Sequence, residues 1–218
     1  MEDPVSFKRL LLVASVILAA GTATAASAQD NATLKYAVMR NGDTIGSTTV
    51  RLVRDGAATL AEVATHVQVK VAYITVYRFD EHETERLGDD GRLLALKAVT
   101  DDNGTVHNVS ATRDGNMLAV DADGKRSTID PTLIPVSLWN AALLEKTKAL
   151  NPQDGRITPV SVVDRGEDRL VLDGRPTPAH HYSIDTGIAQ DVWYDRDHRL
   201  VKVELQAIDG SKILYRLG

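Results

Sequence analysis

Apolar and polar residues alternate along several stretches of the chain. In residues 34–38, 63–71 and 201–205, most alternate positions are apolar, and mainly polar or small residues lie between them. Because successive side chains of a strand point to opposite sides, this alternation is typical of strands with one buried and one solvent-facing side. The pattern therefore predicts a largely β protein.

Turn-forming dipeptides separate these stretches. Asn-Gly or Asp-Gly pairs begin at residues 41, 55, 90, 103, 114, 123, 154, 173 and 209. Such pairs tolerate the positive φ angles of tight hairpin turns, and short connections join antiparallel strands. Residues 57–87 contain no Gly, Pro or Asn although they are too many for one strand, so we expect a turn there, near Val71 to Ile74. The chain thus reads as an antiparallel meander.

A single helix is predicted at about residues 137–150. Pro135 precedes it, Ser137 is a suitable N-cap, and Pro152 would end it. Its apolar positions recur at helical spacing, and two lysines near its end suit the helix dipole. These positions are Leu138, Trp139, Ala142, Leu143 and Leu150, with the lysines at Lys146 and Lys148. We expect this α-helix to cover one face of the sheet.

The first 28 residues have the order of a cleavable secretory signal. Lys8 and Arg9 precede an apolar run over residues 10–20, and small residues follow up to Ala28. The run is shorter than the roughly 20 residues that a membrane-spanning helix needs. We therefore expect export to the periplasm, cleavage before Gln29, and one mature β domain over residues 29–218.

Composition narrows the function. The chain has no cysteine, which excludes disulfides, thiol catalysis, cysteine-ligated metals and the lipid-modified cysteine of a lipoprotein. Its net charge is -5 and it has no basic block, so nucleic acid and anionic membrane surfaces are not expected as primary partners. No nucleophile motif, phosphate loop or dinucleotide motif occurs, so we expect no cofactor and assign no catalytic residue.

Three groups of residues suggest metal or acid-base chemistry at first sight. Asp191, Trp193 and Asp195 would share one face of a strand, which could serve a carboxylate-dependent hydrolase, although a turn at Asp195 with a core Trp193 is the simpler interpretation. His180 and His181 are adjacent and point to opposite faces, so they cannot readily bind one ion. The calcium-loop spacing at residues 119–130 lacks its first ligand and predicts a hairpin turn. No metal site is predicted.

Charged residues alternate along residues 81–86. Glu81, Glu83 and Glu85 form one acidic side, which we expect to be solvated. Arg86 would then point toward the buried side, where it needs a carboxylate partner or a ligand.

Short motifs in a fixed order resemble a family of uncharacterised exported bacterial proteins, a domain of unknown function. The motifs are Tyr77-Arg78-Phe79, Glu85-Arg86, Gly91-Arg92-Leu93, Ser137-Leu138-Trp139-Asn140, Trp193-Tyr194-Asp195, Leu200-Val201-Lys202 and Asp209-Gly210-Ser211. The resemblance implies a curved antiparallel sheet, similar to the open half-barrel of periplasmic lipoprotein carriers, with a helix near its concave face. By analogy with such carriers, it also implies an apolar ligand or a lipidated client.

The first hypothesis is a non-catalytic periplasmic binding protein for an apolar ligand or lipidated client. Its ligand-binding residues would be Arg86, Trp139, Asn140, Trp193 and Asp195, with the two tryptophans lining one concave face. The alternatives are an envelope scaffold that uses an exposed patch or sheet edge, the carboxylate-dependent hydrolase, and an outer-membrane barrel. The barrel is disfavoured because aromatic residues for its girdles are scarce.

Overall fold

A computed structural model describes residues 31–172 and 174–218. The predicted signal segment, residues 1–28, and Asp173 of one predicted turn lie outside these ranges. Of the fifteen strands in the described residues, thirteen form one antiparallel sheet and two form a small separate sheet. The strands are β1 (Ala32–Arg40), β2 (Asp43–Asp55), β3 (Ala58–Val71), β4 (Ile74–Gly88), β5 (Leu93–Asp102), β6 (Thr105–Asp114), β7 (Met117–Ala122), β8 (Lys125–Ile129), β9 (Lys148–Leu150), β10 (Ile157–Pro159), β11 (Ser161–Leu172), β12 (Arg175–Asp185), β13 (Ala189–Tyr194), β14 (Leu200–Gln206) and β15 (Lys212–Leu217).

The large sheet is a meander joined at its centre by the first and last strands. Its order is β11-β12-β13-β14-β15-β1-β2-β3-β4-β5-β6-β7-β8, so β1 lies between β15 and β2. Tyr36 of β1 stands opposite Leu217 of β15 on one side and Thr48 of β2 on the other. Strands β8 and β11 are the two edges and do not pair with each other, so the sheet remains open. The predicted antiparallel, mainly β fold is confirmed.

Tight turns occur where the dipeptides predicted them. Asn41, Asn103 and Asp123 have positive φ angles, and each precedes a glycine that also has a positive φ. Between β3 and β4 the turn consists of Ala72 and Tyr73, with φ angles of 48° and 70°. The expected turn near Val71 to Ile74 is thus confirmed, although neither turn residue belongs to a type that favours this conformation.

One face of the sheet, which we call the inner face, carries the main core. Tyr36, Val50, Val192 and Val203 belong to one buried cluster on this face. A second cluster, which includes Leu96 and lies toward β8, continues the core. The opposite, outer face has a small cluster of three buried residues: Ala179, Trp193 and Val201.

Residues 130–160, which we call the strap, run from edge strand β8 to edge strand β11 and pack on the inner face. Leu143 and Leu150 of the strap are fully buried, each in a different core cluster. The strap therefore covers the sheet in the place where the sequence predicted a helix.

The predicted α-helix at 137–150 is wrong. In this segment the structure has a short 3-10 helix, Ala141–Glu145, and its N-cap Asn140 accepts a hydrogen bond from the backbone N–H of Ala142. Farther along, the backbone N–H of Leu150 donates a hydrogen bond to the carbonyl of Ile134. The carbonyl of Leu150 accepts a hydrogen bond from the backbone N–H of Val136. Strand β9 also pairs with β10. These pairings use backbone groups that a continuous helix would need.

In the described ranges, residues 31–172 and 174–218, no helix is long and apolar enough to cross a membrane.

The strap leaves no space for a side chain at Gly155. A Cβ added there would lie 2.5 Å from the Cβ of Ala122 in β7, and the φ angle of Gly155 is +72°. Gly124 also has a positive φ, +81°, but an added Cβ meets nothing within 4 Å. Substituting each glycine with alanine therefore distinguishes the stability lost through the backbone conformation from the stability lost through the steric contact.

Replacing Gly155 with Ala should lower the free energy of unfolding in urea by about 2–4 kcal/mol, because it combines backbone strain with a clash. Gly124→Ala should cost only about 1–2 kcal/mol, from the backbone conformation alone. Equal losses in the two variants would show that the strap does not pack against β7 as described.

Candidate functional site

Three glutamates of β4 are buried on the inner face. Glu81, Glu83 and Glu85, which we call the glutamate ladder, are 9, 5 and 0% exposed. The expected solvated acidic face is therefore wrong. Residues with the opposite parity, His82, Thr84 and Arg86, face solvent instead.

Neighbouring strands surround Glu83 and Glu85 with small and apolar side chains. Glu85 stands opposite Ala61 of β3 and Leu96 of β5, and Glu83 stands opposite Val63 and Ala98. None of these four side chains can form a hydrogen bond or an ion pair with a carboxyl group. Any partners of Glu83 and Glu85 must therefore come from elsewhere.

The strap supplies the hydrogen bonds of Glu85. Ser137 Oγ donates to Glu85 Oε1 through a short hydrogen bond. Trp139 Nε1 donates to the same oxygen at 3.0 Å. The other oxygen, Oε2, is buried without a partner. Glu85 thus attaches the strap to the centre of the sheet but leaves one acceptor unused.

Glu83 and Glu81 have weaker partners. Glu83 Oε1 is buried without any hydrogen-bond partner. Glu81 Oε1 accepts a hydrogen bond from Thr100 Oγ1 at 3.5 Å. An unpaired oxygen buried in this way carries a desolvation cost, which a bound donor would remove.

Burial dominates the protonation of the ladder. It raises the pKa of Glu81 and, together with the negative charges of Glu85 and Glu81, raises the pKa of Glu83 well above its usual range. Burial also raises the pKa of Glu85 to about 7, although hydrogen bonds from Ser137 and Trp139 oppose the shift. Burial therefore favours the protonated forms of these side chains.

A cavity of about 330 Å³, which we call the strap cavity, lies between the strap and the inner face, and Glu81 and Glu83 line it. The apolar residues of its sheet wall are Val50, Val63, Phe79, Leu200, Val203 and Leu205, and the polar ones include Thr48, Thr65 and Gln190. Trp139 and Leu138 line it from the strap, together with the amide side chains of Asn151 and Gln153. This volume lies in the range of small-molecule sites, and an apolar wall with a few polar groups is their usual composition.

The structure places only one of the five predicted ligand-binding residues at this cavity. Trp139 lines it, as the concave-face hypothesis required. Asn140 instead caps the 3-10 helix. Arg86 lies on the solvent side, where its guanidinium pairs with Asp55 at 3.1 Å and both side chains are about half exposed or more. The expectation that Arg86 points toward the buried side is wrong because the ladder occupies that side.

Trp193 and Asp195 are also away from the cavity. Trp193 lies in the outer-face cluster, stacks on His181, and donates from Nε1 to Asp168 at 2.9 Å. The two tryptophans therefore do not line one concave face. Asp195 accepts hydrogen bonds from the backbone N–H groups of Asp197 and Arg199 and pairs with the Arg199 side chain. It is a turn residue.

A larger depression of about 610 Å³ lies at the β11–β14 end of the sheet. Its charged side chains pair with neighbours: Asp191 accepts hydrogen bonds from Ser183 at 2.6 Å and His181 at 2.9 Å, and Glu204 pairs with two lysines. Ser183 donates to Asp191 and not to His181, so no activated serine results. We therefore place the candidate site at the strap cavity.

The inward orientation of the glutamate ladder differs from the prediction, although the sequence contains one signal for it. Phe79 and Leu87 have the same parity as the three glutamates, and both lie on the inner face, with Leu87 buried. A strand that places these two apolar residues inward must place the glutamates inward too. Sequence gives no such signal for the strap contacts of Ser137 and Trp139.

The raised pKa of Glu85 makes stability depend on pH. Between about pH 4.5 and 7 the folded protein keeps a proton that the unfolded chain releases, so the free energy of unfolding should fall as pH rises through this window. Glu85→Gln should flatten that fall and still offer an oxygen to Trp139. Urea unfolding at several pH values would measure how the free energy of unfolding changes with pH in the wild type and in the variant.

Glu62→Gln is the matched control, because the side chain of Glu62 is about half exposed and pairs with Arg51 on the protein surface. It should retain the wild-type slope. If Glu85→Gln retained the wild-type slope as well, Glu85 would not be the source of the pH dependence.

Comparisons with known proteins agree with this architecture. The sequence model of DUF6134, a domain of unknown function, matches residues 36–218. The solved structures similar to this chain include a β-barrel-like protein of domain of unknown function DUF1849 from Brucella abortus, with a TM-score of 0.62 at 11% identity. The match covers 87% of this chain and 96% of that one, and it shows a shared fold. No curated protein matches the chain.

Proposed function

We propose that this chain, which belongs to the DUF6134 family, is a non-catalytic binding protein whose strap cavity holds a small, largely apolar ligand. The observation that carries the proposal is the cavity of about 330 Å³ between the strap and the inner face of the sheet, which contributes several apolar side chains to its wall. We further propose that the protein acts in the periplasm, in keeping with the predicted signal segment.

The packing around the cavity supports a ligand site. Val50 and Val203, which line it, are buried in the main core, so the wall belongs to the rigid part of the sheet. Trp139 forms part of the opposite wall and is held by its hydrogen bond to Glu85. An apolar ligand would therefore meet a preformed site and remove its own surface from water.

The hydrolase hypothesis has less support. Asp195 is occupied by its turn, and Asp191 by Ser183 and His181. Neither carboxylate lines the strap cavity, and the two do not form an acid-base pair around a space for a substrate.

An interaction role is a second candidate, favoured by the tip of the β3–β4 hairpin. Val71, Tyr73, Ile74 and Val76 are more than half exposed there, and Tyr73 is fully exposed. An apolar tip of this kind is typical of a contact surface for another protein. Cross-linking in cells through a photoreactive residue at position 73 should recover an adduct, whereas recovery of only the free protein would argue against this role.

Filling the cavity should abolish ligand binding. Val63→Phe adds a ring to the cavity wall, so an apolar fluorophore that saturates the wild-type protein should lose at least about tenfold in affinity. Val171→Phe is the matched control, because Val171 is 67% exposed on β11 and does not line the cavity. Fluorescence titration measures both affinities.

The control should bind the fluorophore as the wild type does. Absence of saturable binding to the folded wild-type protein would refute the proposal, and so would equal binding by both variants. Native mass spectrometry of the protein purified from its own envelope would identify a retained ligand.

A further inference from the structure

Among the described residues, the glutamate ladder has no positively charged partner in the strap cavity. None of the described residues that line the cavity is Lys, Arg or His. His82 lies on β4 with the opposite parity and faces solvent. Buried carboxyl groups are normally paired with a cation or hydrogen-bonded at both oxygens, and this ladder is neither.

Two unused acceptor atoms define what is missing. Glu83 Oε1 and Glu85 Oε2 are buried and accept no hydrogen bond, and Glu83, only 5% exposed, lines the cavity. Glu85 does not line the cavity, but it is the next inward residue of β4 after Glu83. Glu83 is therefore the group through which a ligand would reach the ladder.

The two phenols that face the ladder cannot neutralise it. Tyr36 and Tyr215 line the cavity from β1 and β15, and burial raises the pKa of each phenol, so both are neutral. The hydroxyl of Tyr36 already donates to the carbonyl of Leu200 at 2.9 Å.

The remaining polar side chains around Glu83 also have partners. Thr48 and Thr65 bond each other at 3.0 Å. The cavity therefore offers an apolar wall and one carboxyl group that lacks a donor.

A metal ion does not suit the site. In the described part of the chain no group of three His, Cys, Asp or Glu side chains is placed to hold one. An organic cation has no such requirement, because one carboxyl group can accept its N–H donor.

We propose that the strap cavity selects an amphiphile with a positively charged amine, whose ammonium group donates a hydrogen bond to Glu83. Its apolar part would lie against Val63, Val203 and Trp139, all of which line the cavity. The ammonium charge stabilises the ionised form of Glu83, so binding releases the proton that this side chain holds in the empty cavity. This inference rests on the proposed function, since it names the class of ligand that the same cavity takes.

The test compares three ligands with the same alkyl chain: decylammonium, decanol and decanoate. Trp139 lines the cavity, so its fluorescence reports binding once the other tryptophan of the chain is removed by Trp193→Phe. Near neutral pH, decylammonium should bind at least about tenfold more tightly than decanol, and decanoate should bind most weakly, because it places a like charge beside the ladder.

Glu83→Gln should reduce the preference for decylammonium over decanol to less than about threefold, because it weakens the binding of decylammonium more than that of decanol. Glu62→Gln, which removes the charge of a surface glutamate, should keep the full preference. If Glu83→Gln does not fold, as judged by circular dichroism, Glu81→Gln takes its place, because Glu81 also lines the cavity. The preference should also fall as pH is lowered, since the ladder then gains protons.

The outcomes separate this inference from the function on which it rests. If decanol and decylammonium bind equally, or if decanoate binds most tightly, the amine is not selected and the apolar binding function stands. If none of the three binds the folded protein and the apolar fluorophore does not bind either, both proposals fail. A preference for decylammonium that survives the ladder variant would also overturn the inference, because the charge would then be recognised elsewhere.

Discussion

The fold depends on a buried carboxyl group that attaches a covering segment to the middle of a sheet. Glu85 is fully buried, and Ser137 and Trp139 of the strap both donate to one of its oxygens. Hydrogen bonds to a carboxylate are stronger than those between neutral groups, but burying the charge is costly. The position of the strap, and hence the shape of the cavity below it, follows from the balance between these two effects.

A core built only for stability would not contain this arrangement. Replacing a buried ionic group by apolar residues of similar volume is often neutral or stabilising. Here three glutamates occupy inward positions of β4, among alanine, valine and leucine neighbours. Polar groups that cost stability are typical of binding sites, where a ligand removes part of the cost. The strap cavity therefore combines the rigid wall of the core with the unsatisfied groups of a site.

The sequence predicts the sheet well because local signals determine it, whereas it does not predict the strap. Alternation at residues 34–38 and glycine turns such as Asn41-Gly42 define strands and hairpins without reference to distant residues. Leu143 and Leu150 have helical spacing, but they serve two separate core clusters, and Leu150 is held by long-range backbone pairing. The local sequence therefore does not distinguish apolar residues that form one face of a helix from apolar residues that pack into two separate core clusters.

The candidate site was only partly predictable for a related reason. Along residues 80–86 both faces of β4 are polar, so alternation alone does not show which face is buried. The inward face is determined by Phe79 and Leu87 at the ends of this stretch and by the strap that covers it. Trp139 could be identified as a cavity residue because it lies in the covering segment, whereas Trp193 could not be assigned to a face before the register of β13 was known.

The central position of β1 has a consequence for how the molecule forms. Hairpins from β1 to β8 and from β11 to β15 can each assemble from strands that follow one another in the chain, but β1 pairs with β15 across almost the whole length of the polypeptide. Contacts between such distant segments close a very large loop and form slowly. The two halves of the sheet can therefore exist before they are joined, and the middle of the finished protein is the last place to be built.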